Sequence, residues 1–312
     1  MNAITLFVGV SLLVGCSTKR LPSTEPLRAP IKPEASFPPP TASQSNQLAR
    51  LDALLRGPLT TLDLSWVAGM GEVAVPTCVR EAGDQTLSAG ARDLMLIVLG
   101  NALQKAEFHE DAGAKNDLAV PVLLEALNDE EPRVRRSGAY AARFVDDPRL
   151  VPTLTARLTD TAVVREQAVL ALGTSGRESE IVPIMKLFLA TDNGTFRYSC
   201  LYSLAMICLL HDIDVASVLE QNATTFGEEN ESNLNSVSRR FIDFRGMAVL
   251  VRRLSSSDLS ERREANEKLR TLTGKTMAFD PDGDATGRQR GIEQWRKYFL
   301  KDYWLAPFPS KP

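Results

Sequence analysis

The chain has few of the residues on which acid–base and nucleophilic catalysis most often depend. Its 312 residues include two histidines, His109 and His211. His109 lies in a polar stretch and His211 ends an apolar one, and neither has a motif partner nearby in the sequence. The motifs H-E-x-x-H and G-x-S-x-G are both absent. We therefore predict a protein that is not an enzyme and has no catalytic residues, metal or cofactor.

Two short segments carry only part of a ligand-binding motif. Residues 274–276 have the end of a phosphate-binding loop, but Leu269 stands where that loop needs its first glycine. Asp280, Asp282 and Asp284 are spaced like the first ligands of an EF-hand, whose next glycine and final glutamate are missing. A turn that precedes the last helix is the favoured interpretation, and ion binding by the Asp280–Asp284 loop stays open.

The chain also lacks a charge excess and a resident membrane span. Its net charge is −3, with basic and acidic residues interspersed, which argues against nucleic acid as a partner. After residue 14 no apolar run reaches spanning length, and Leu201–Leu210 is predicted to be a core helix.

Cysteine is scarce after Cys16, with Cys78, Cys200 and Cys208 remaining. Cys200 and Cys208 are eight residues apart in one predicted helix, or about 12 Å along its axis. That separation exceeds the reach of a disulfide. We interpret all three residues as buried free thiols.

The amino terminus is the clearest signal of location. Residues 3–14 form an apolar core that is too short to stay in a bilayer, so residues 1–15 are predicted to be a signal peptide. Gly15-Cys16 resembles the lipobox of bacterial lipoproteins, although the first fifteen residues contain no Lys or Arg. The resemblance implies cleavage before Cys16 and attachment of lipid, palmitate included, to this residue. An ordinary secretory signal is the alternative.

Residues 16–45 are predicted to be a disordered tether that begins at the lipidated cysteine. Seven of the 18 prolines lie between Pro22 and Pro40, and no apolar periodicity is present. Such a segment acts as a semi-rigid spacer. Because Ser17 rather than aspartate follows the cysteine, we expect a lipid-anchored protein of the cell envelope, on the outer membrane and facing the periplasm.

A 31-residue repeat organises the rest of the chain, residues 46–312. The sequence Val-Pro recurs at residues 120, 151 and 182, and leucine recurs at residues 127, 158 and 189. Each unit has the pattern of two amphipathic helices, with the Val-Pro early in the first one. Gln104–Asn116 is predicted to be an inserted loop, and Asn222–Asn235 a surface excursion. Helix pairs of this size cannot bury their apolar faces alone, so neighbouring pairs must stack.

This pattern, clearest over residues 118–212, resembles short HEAT-type repeats of the bacterial variety that phycobilin lyases also contain. The resemblance implies an all-α fold, a right-handed α-α superhelix preceded by a disordered leader. It also implies a structural ladder between repeats, formed by Asp129, Arg135, Asp160, Arg165 and Arg197.

The carboxyl end, residues 272–304, resembles the terminal L-T-G…D-P…W-R motif of bacterial HEAT-repeat proteins. We expect its last helix to cap the final repeat with Trp295, Tyr298 and Phe299. Trp304 and Phe308 lie beyond that helix and are candidates for docking a partner.

The resulting prediction is a membrane-anchored scaffold of the bacterial envelope that binds proteins through the solenoid surface. One alternative is an enzyme or a cofactor-maturation factor related to HEAT-like lyases, which needs a pocket with convergent polar or thiol groups. Another is a module that binds the cell wall or a polysaccharide, which needs exposed aromatic residues along the concave face. The identity of the partner and the oligomeric state stay open.

Overall fold

The computed structural model describes residues 40–56, 65–106 and 112–299. The predicted signal peptide, Cys16 and the candidate docking residues Trp304 and Phe308 lie outside these residues. Within them the secondary structure is helical throughout, with short 3-10 turns and no strand. The α-helices are α1 (Ala42–Leu55), α2 (Ser65–Gly69), α3 (Val75–Ala82), α4 (Ala89–Ala106), α5 (Ala112–Leu127), α6 (Pro132–Ala142), α7 (Val151–Ala156), α8 (Ala162–Ser175), α9 (Glu178–Ala190), α10 (Gly194–His211), α11 (Val215–Gln221), α12 (Glu231–Arg253), α13 (Leu259–Thr273) and α14 (Ala285–Tyr298).

The helices form stacked pairs. Helices α3 and α4, α5 and α6, α7 and α8, α9 and α10, and α11 and α12 pack against each other as pairs. The second helices also contact one another in series, from α4 through α6, α8 and α10 to α12. Each pair is thus covered by its neighbours, and the prediction of an all-α solenoid is confirmed.

The 31-residue period places equivalent residues in equivalent environments. Leu123, Leu154 and Met185 are all fully buried in the continuous apolar core. In the third pair, however, Phe188 is buried while Leu189 is only partly covered. The period therefore fixes the burial of residues 123, 154 and 185 more strictly than that of the leucines at 127, 158 and 189.

Two proline positions differ from the prediction that the Val-Pro lies early in each first helix. Pro152 is the second residue of α7, but Pro121 and Pro183 lie inside α5 and α9. A proline within a helix removes one backbone hydrogen bond. The buried residues Ala119 and Val120 stabilise the helix before Pro121, because they join the apolar core.

Helices are longer than predicted at three places. Both ends of the expected loop Gln104–Asn116 are helical, since α4 continues to Ala106 and α5 begins at Ala112. Helix α12 begins at Glu231, so the last residues of the expected surface excursion Asn222–Asn235 are helical.

Helix α1 begins within the stretch predicted to be tether. The Thr41 hydroxyl accepts a hydrogen bond from the Gln44 amide (3.2 Å), and the Gln44 side chain accepts one from the Thr41 amide (2.8 Å). This reciprocal capping box satisfies two amides at the start of the helix. Leu51 and Leu55 then bury their side chains in the core.

Among the described residues no single helix is both long and apolar enough to cross a bilayer. The pair α10 and α11 meets those criteria jointly but is bent by 116°. Most side chains of α10 are buried in the core, as expected for Leu201–Leu210.

Candidate functional site

Three of the predicted ladder residues come together between neighbouring helix pairs. Arg135 on α6 donates from Nε and Nη2 to the two carboxylate oxygens of Asp160, at 2.8 and 2.9 Å. Its Nη1 also donates to the backbone oxygens of Asp129 and Glu130 in the turn before α6, at 2.9 and 2.8 Å. One guanidinium thus joins the turn of its own pair to the turn of the next pair.

The same relationship occurs one pair earlier, with a partner that the repeat pattern did not reveal. Arg92 on α4 forms an ion pair with Asp129, and both side chains are almost entirely buried. Sequence reasoning missed Arg92 because the flanking unit departs from the 31-residue step.

The other two predicted ladder residues contact aromatic rings. The Arg165 guanidinium lies 5.1 Å from the centre of the Phe196 ring, and that of Arg197 lies 4.2 Å from the centre of the Phe188 ring. Cation–π contacts of this kind are favourable when the ring is partly shielded from water. The arginine position therefore recurs on α8 and on α10 with another type of partner.

Helix α14, which packs against α12, carries a cluster of aromatic residues. Trp295 is fully buried and stacks on Phe299 at 5.7 Å between ring centres, while Tyr298 meets both rings edge-on. Gly291 lets α14 pass close to the backbone at Phe279, because a Cβ atom at residue 291 would lie 2.6 Å from Phe279. The three side chains predicted to form the cap thus form one aromatic cluster on α14.

A groove crosses the face formed by the second helices. It has a volume of about 430 Å³. We name it the second-helix groove, and its lining residues are Gln104, Tyr140, Arg143, Phe144, Leu170, Thr174, Tyr198, Tyr202, Met206, Leu210, Glu293, Arg296 and Lys297. These side chains come from helices α4, α6, α8, α10 and α14. Arg143 and Phe144 directly follow the end of α6.

Two aromatic pairs line opposite parts of this groove. Tyr140 and Phe144 meet edge-to-face at 5.6 Å, and Tyr198 and Tyr202 lie nearly parallel at 6.3 Å. Tyr198 is 42% exposed. Both pairs have i, i+4 spacing, which places two rings on the same side of a helix. This spacing was the available signal, and sequence reasoning missed all four residues.

The polar contacts of the groove hold its aromatic side chains in place. The Tyr140 hydroxyl donates to Asn101 Oδ1 at 2.6 Å, and Gly100 leaves room for the ring, since a Cβ atom there would lie 2.7 Å from it. The Arg143 guanidinium lies 5.8 Å from the Tyr140 ring centre and 5.9 Å from that of Phe144. The lining is therefore built from positioned rings rather than from loose surface side chains.

Positive charge exceeds negative charge in the groove. Arg143, Arg296 and Lys297 are cationic, and Glu293 is the one carboxylate among the lining residues. Burial raises the pKa of Glu293, although Arg296 lies 3.8 Å away and opposes the change. Burial also raises the pKa of the Tyr198 hydroxyl. The groove combines aromatic surface with a net positive charge.

The described thiols do not contribute to this groove. Cys78, Cys200 and Cys208 are free and buried, as expected. Burial raises the pKa of Cys78 and Cys200 to about 12 and that of Cys208 to about 11, so all three are protonated near neutral pH. A reactive thiol, which the alternative of a maturation factor could use, is not supplied by these residues.

The carboxylates of the Asp280–Asp284 loop are engaged with the protein itself. Asp280 accepts from the Asp282 amide, Asp282 accepts from Arg263, and Asp284 accepts from the Gly287 amide at the start of α14. In the part of the chain that the structure describes, no group of three or more metal-ligating side chains is arranged to hold an ion. The loop has the geometry of a helix-capping turn.

Comparison with known proteins identifies the repeat. Residues 101–173, from the end of α4 to α8, match the model of a family described as HEAT repeats. The chain therefore contains HEAT repeats in this segment, and the segment forms part of an all-α solenoid. No curated protein matches the chain. A crystal structure of an engineered protein from the Northeast Structural Genomics Consortium is 17% identical over 74% of this chain and 91% of that chain, with a TM-score of 0.39.

Proposed function

We propose that this protein is a scaffold that binds other proteins in the second-helix groove. HEAT repeats generally serve protein interaction, which supports the class of function. The observation that carries the proposal is the lining of the groove by two aromatic pairs that are 58 residues apart in the sequence, Tyr140 with Phe144 and Tyr198 with Tyr202. Aromatic and arginine side chains contribute most to protein interfaces per residue.

We further propose that lipid on Cys16 anchors the scaffold in the bacterial cell envelope, on the outer membrane and facing the periplasm. The lipobox-like Gly15-Cys16 and the proline-rich segment after it support this location. A variant of one residue, Cys16, tests the lipid anchor. In a bacterium that processes lipoproteins, a Cys16→Ser variant should move from the membrane fraction to the soluble fraction. Its continued presence in membranes after a high-salt wash would refute the anchor.

The binding function is tested separately with groove variants. The full chain is crosslinked in cells and purified, and its bound proteins are compared among wild type, a Tyr198→Ser/Tyr202→Ser variant and an Ile242→Ser control. Ile242 is 57% exposed on α12 and does not line the groove. We expect specific proteins to be lost from the groove variant and kept by the control. Equal recovery from all three would exclude the groove as the binding surface.

The exposed ring of Tyr198 also favours a second candidate, a module that binds a polysaccharide. The two parallel rings of Tyr198 and Tyr202 offer faces on which sugar rings can stack, and the net positive charge suits an acidic glycan. Sedimentation of the protein with purified peptidoglycan sacculi tests this candidate. Retention that is lost in the Tyr198→Ser/Tyr202→Ser variant supports it, and failure to sediment removes it.

A further inference from the structure

The second-helix groove contains an arginine that has no carboxylate partner among the described residues. The Arg143 guanidinium lies 5.8 and 5.9 Å from the ring centres of Tyr140 and Phe144, and its Nη1 atom is 3.5 Å from Gln167 Oε1, the outer limit of a hydrogen bond. Arg135 of the ladder, by contrast, is bound by a carboxylate at two points. A guanidinium has five N–H donors, so most donors of Arg143 are available to a bound molecule.

The two rings beside Arg143 hold its guanidinium in place. The Tyr140 ring is itself fixed by its hydrogen bond to Asn101 and by the space that Gly100 leaves for it. An arginine that stacks on aromatic rings has little conformational freedom left to lose when a ligand binds. Because a planar guanidinium forms two parallel hydrogen bonds with a carboxylate, Arg143 is positioned to bind a carboxylate of a partner.

The charge of the groove also favours an acidic partner. The chain as a whole has a net charge of −3, whereas the groove has three cationic side chains and one carboxylate. That carboxylate, on Glu293, lies 3.8 Å from Arg296, which offsets its charge. The net charge of the groove is therefore opposite in sign to that of the chain, and such a site attracts anionic groups.

The size and the lining of the groove favour a short peptide segment as the occupant. Its volume of about 430 Å³ is in the range of pockets that enclose small ligands, which corresponds to a few side chains. Leu170 and Met206 supply aliphatic surface, and Tyr198 supplies an exposed ring on which an apolar side chain can pack. A sugar instead presents several hydroxyls that each need a partner, and the Thr174 hydroxyl already donates to the backbone oxygen of Arg143 at 2.8 Å.

We infer that the groove binds an acidic peptide segment of its protein partner, in which a carboxylate binds Arg143 and a nearby apolar side chain packs against Tyr198. This inference rests on the proposed function and adds the chemistry that the partner must have. A basic or purely apolar segment would leave the Arg143 guanidinium without a counter-charge.

Selection from a peptide library tests this chemistry without a known partner. Short random peptides displayed on phage are selected on the purified full chain and, in parallel, on an Arg143→Gln variant. We expect the wild type to enrich peptides with Asp or Glu next to apolar residues, and the acidic enrichment to disappear with Arg143→Gln. The matched control Arg270→Gln removes the same charge from an exposed position on α13 outside the groove, and should keep the enrichment.

A double-mutant cycle then measures the contact itself. One selected peptide is synthesised with its acidic residue or with the matching amide, and fluorescence anisotropy gives the Kd of both peptides for wild type and Arg143→Gln. We expect each single change to weaken binding about tenfold, and the two changes together to weaken it little further. Arg143→Lys, which keeps the charge without the planar fork, should restore part of the affinity. The peptide change leaves the protein intact, so its effect does not depend on the folding of a variant.

Three results would overturn the inference: selected peptides without acidic residues, additive effects in the cycle, or no selected peptide at all. Retention on peptidoglycan sacculi that is lost in Arg143→Gln, with no peptide selected, would assign the groove to an acidic glycan instead. The in-cell crosslinking measures the proposed function separately. Partners that are lost from the Tyr198→Ser/Tyr202→Ser variant but kept by Arg143→Gln would support protein binding in the groove and exclude the acidic segment.

Discussion

Arg135 and Asp160 form a two-point ion pair that connects one helix pair to the next. The guanidinium atoms Nε and Nη2 lie 2.8 and 2.9 Å from the two carboxylate oxygens, and the two side chains are 14% and 7% exposed. The hydrogen bond from Arg135 is the main reason that the pKa of Asp160 is lowered to about 2. Such a pair, shielded from water, fixes the register of neighbouring repeats.

The pH dependence of stability follows from this ion pair. Because the native pKa of Asp160 lies below the value of about 3.9 for an unfolded aspartate, the ionised pair stabilises the fold above about pH 4. That contribution is lost as the pH falls from about 4 to about 2. Asp160→Asn should lower the free energy of unfolding by about 2 kcal/mol at pH 7, and by much less at pH 2.5. Urea unfolding at both pH values measures this.

The matched control for this prediction is Lys268→Ala. It breaks an exposed i, i+4 ion pair with Glu264 on α13, and exposed pairs of this kind contribute little. Equal effects of Asp160→Asn and Lys268→Ala at pH 7 would contradict the structural role of the buried pair.

Two glycines should respond in opposite directions to the same substitution. A Cβ atom at Gly138 would lie 2.9 Å from that of Ala126, where α6 crosses α5, so Gly138→Ala should destabilise the protein by about 1–3 kcal/mol. A Cβ atom at Gly246 on α12 would meet nothing within 4 Å, so Gly246→Ala should stabilise the helix by about 1 kcal/mol. Thermal unfolding of both variants measures the difference. Stabilisation by Gly138→Ala would show that the helices are not in close contact there.

The aromatic cap should be essential for stability. Trp295 is fully buried against Phe299, and large-to-small substitutions at such sites cost roughly 3–5 kcal/mol. Trp295→Ala is therefore expected to lower the denaturation midpoint strongly, whereas Tyr198→Ala, at an exposed ring, should change it little. Similar midpoints for the two variants would mean that α14 does not protect the last repeat.

The three described thiols should be inert until the protein unfolds. Burial raises the pKa values of Cys78, Cys200 and Cys208 to about 12, 12 and 11, and alkylating reagents react with the thiolate. At pH 8 we expect no alkylation of these residues in the native protein and complete alkylation in denaturant, as measured by mass spectrometry of their peptides. Rapid labelling of any of the three without denaturant would contradict their burial.

The repeat was predictable from the sequence because periodic burial leaves a periodic pattern. Leu123, Leu154 and Met185 share one step of 31 residues and one buried environment. The same logic located Asp160 and Arg135, which occupy fixed places in consecutive units. Helix ends were less predictable: Pro121 favours a helix start, yet tertiary burial of the preceding residues extends α5 to Ala112.

The groove could not be predicted, because it depends on helices that are distant in the sequence. Tyr140 and Tyr198 belong to different repeats, and Arg296 comes from the terminal helix that lies beside them. Each of these residues alone has the pattern of an ordinary surface side chain. Only the stacking of the second helices and the position of α14 assemble them into one lining.

Site-specific photo-crosslinking tests the central claim, that the second-helix groove is the binding surface for proteins, most directly. Benzoylphenylalanine is placed in living cells at position 198, inside the groove, or at position 242, on the exposed face of α12. We expect discrete protein adducts from position 198 that are absent from position 242. Adducts from position 242 alone, or the same adducts from both positions, would contradict it.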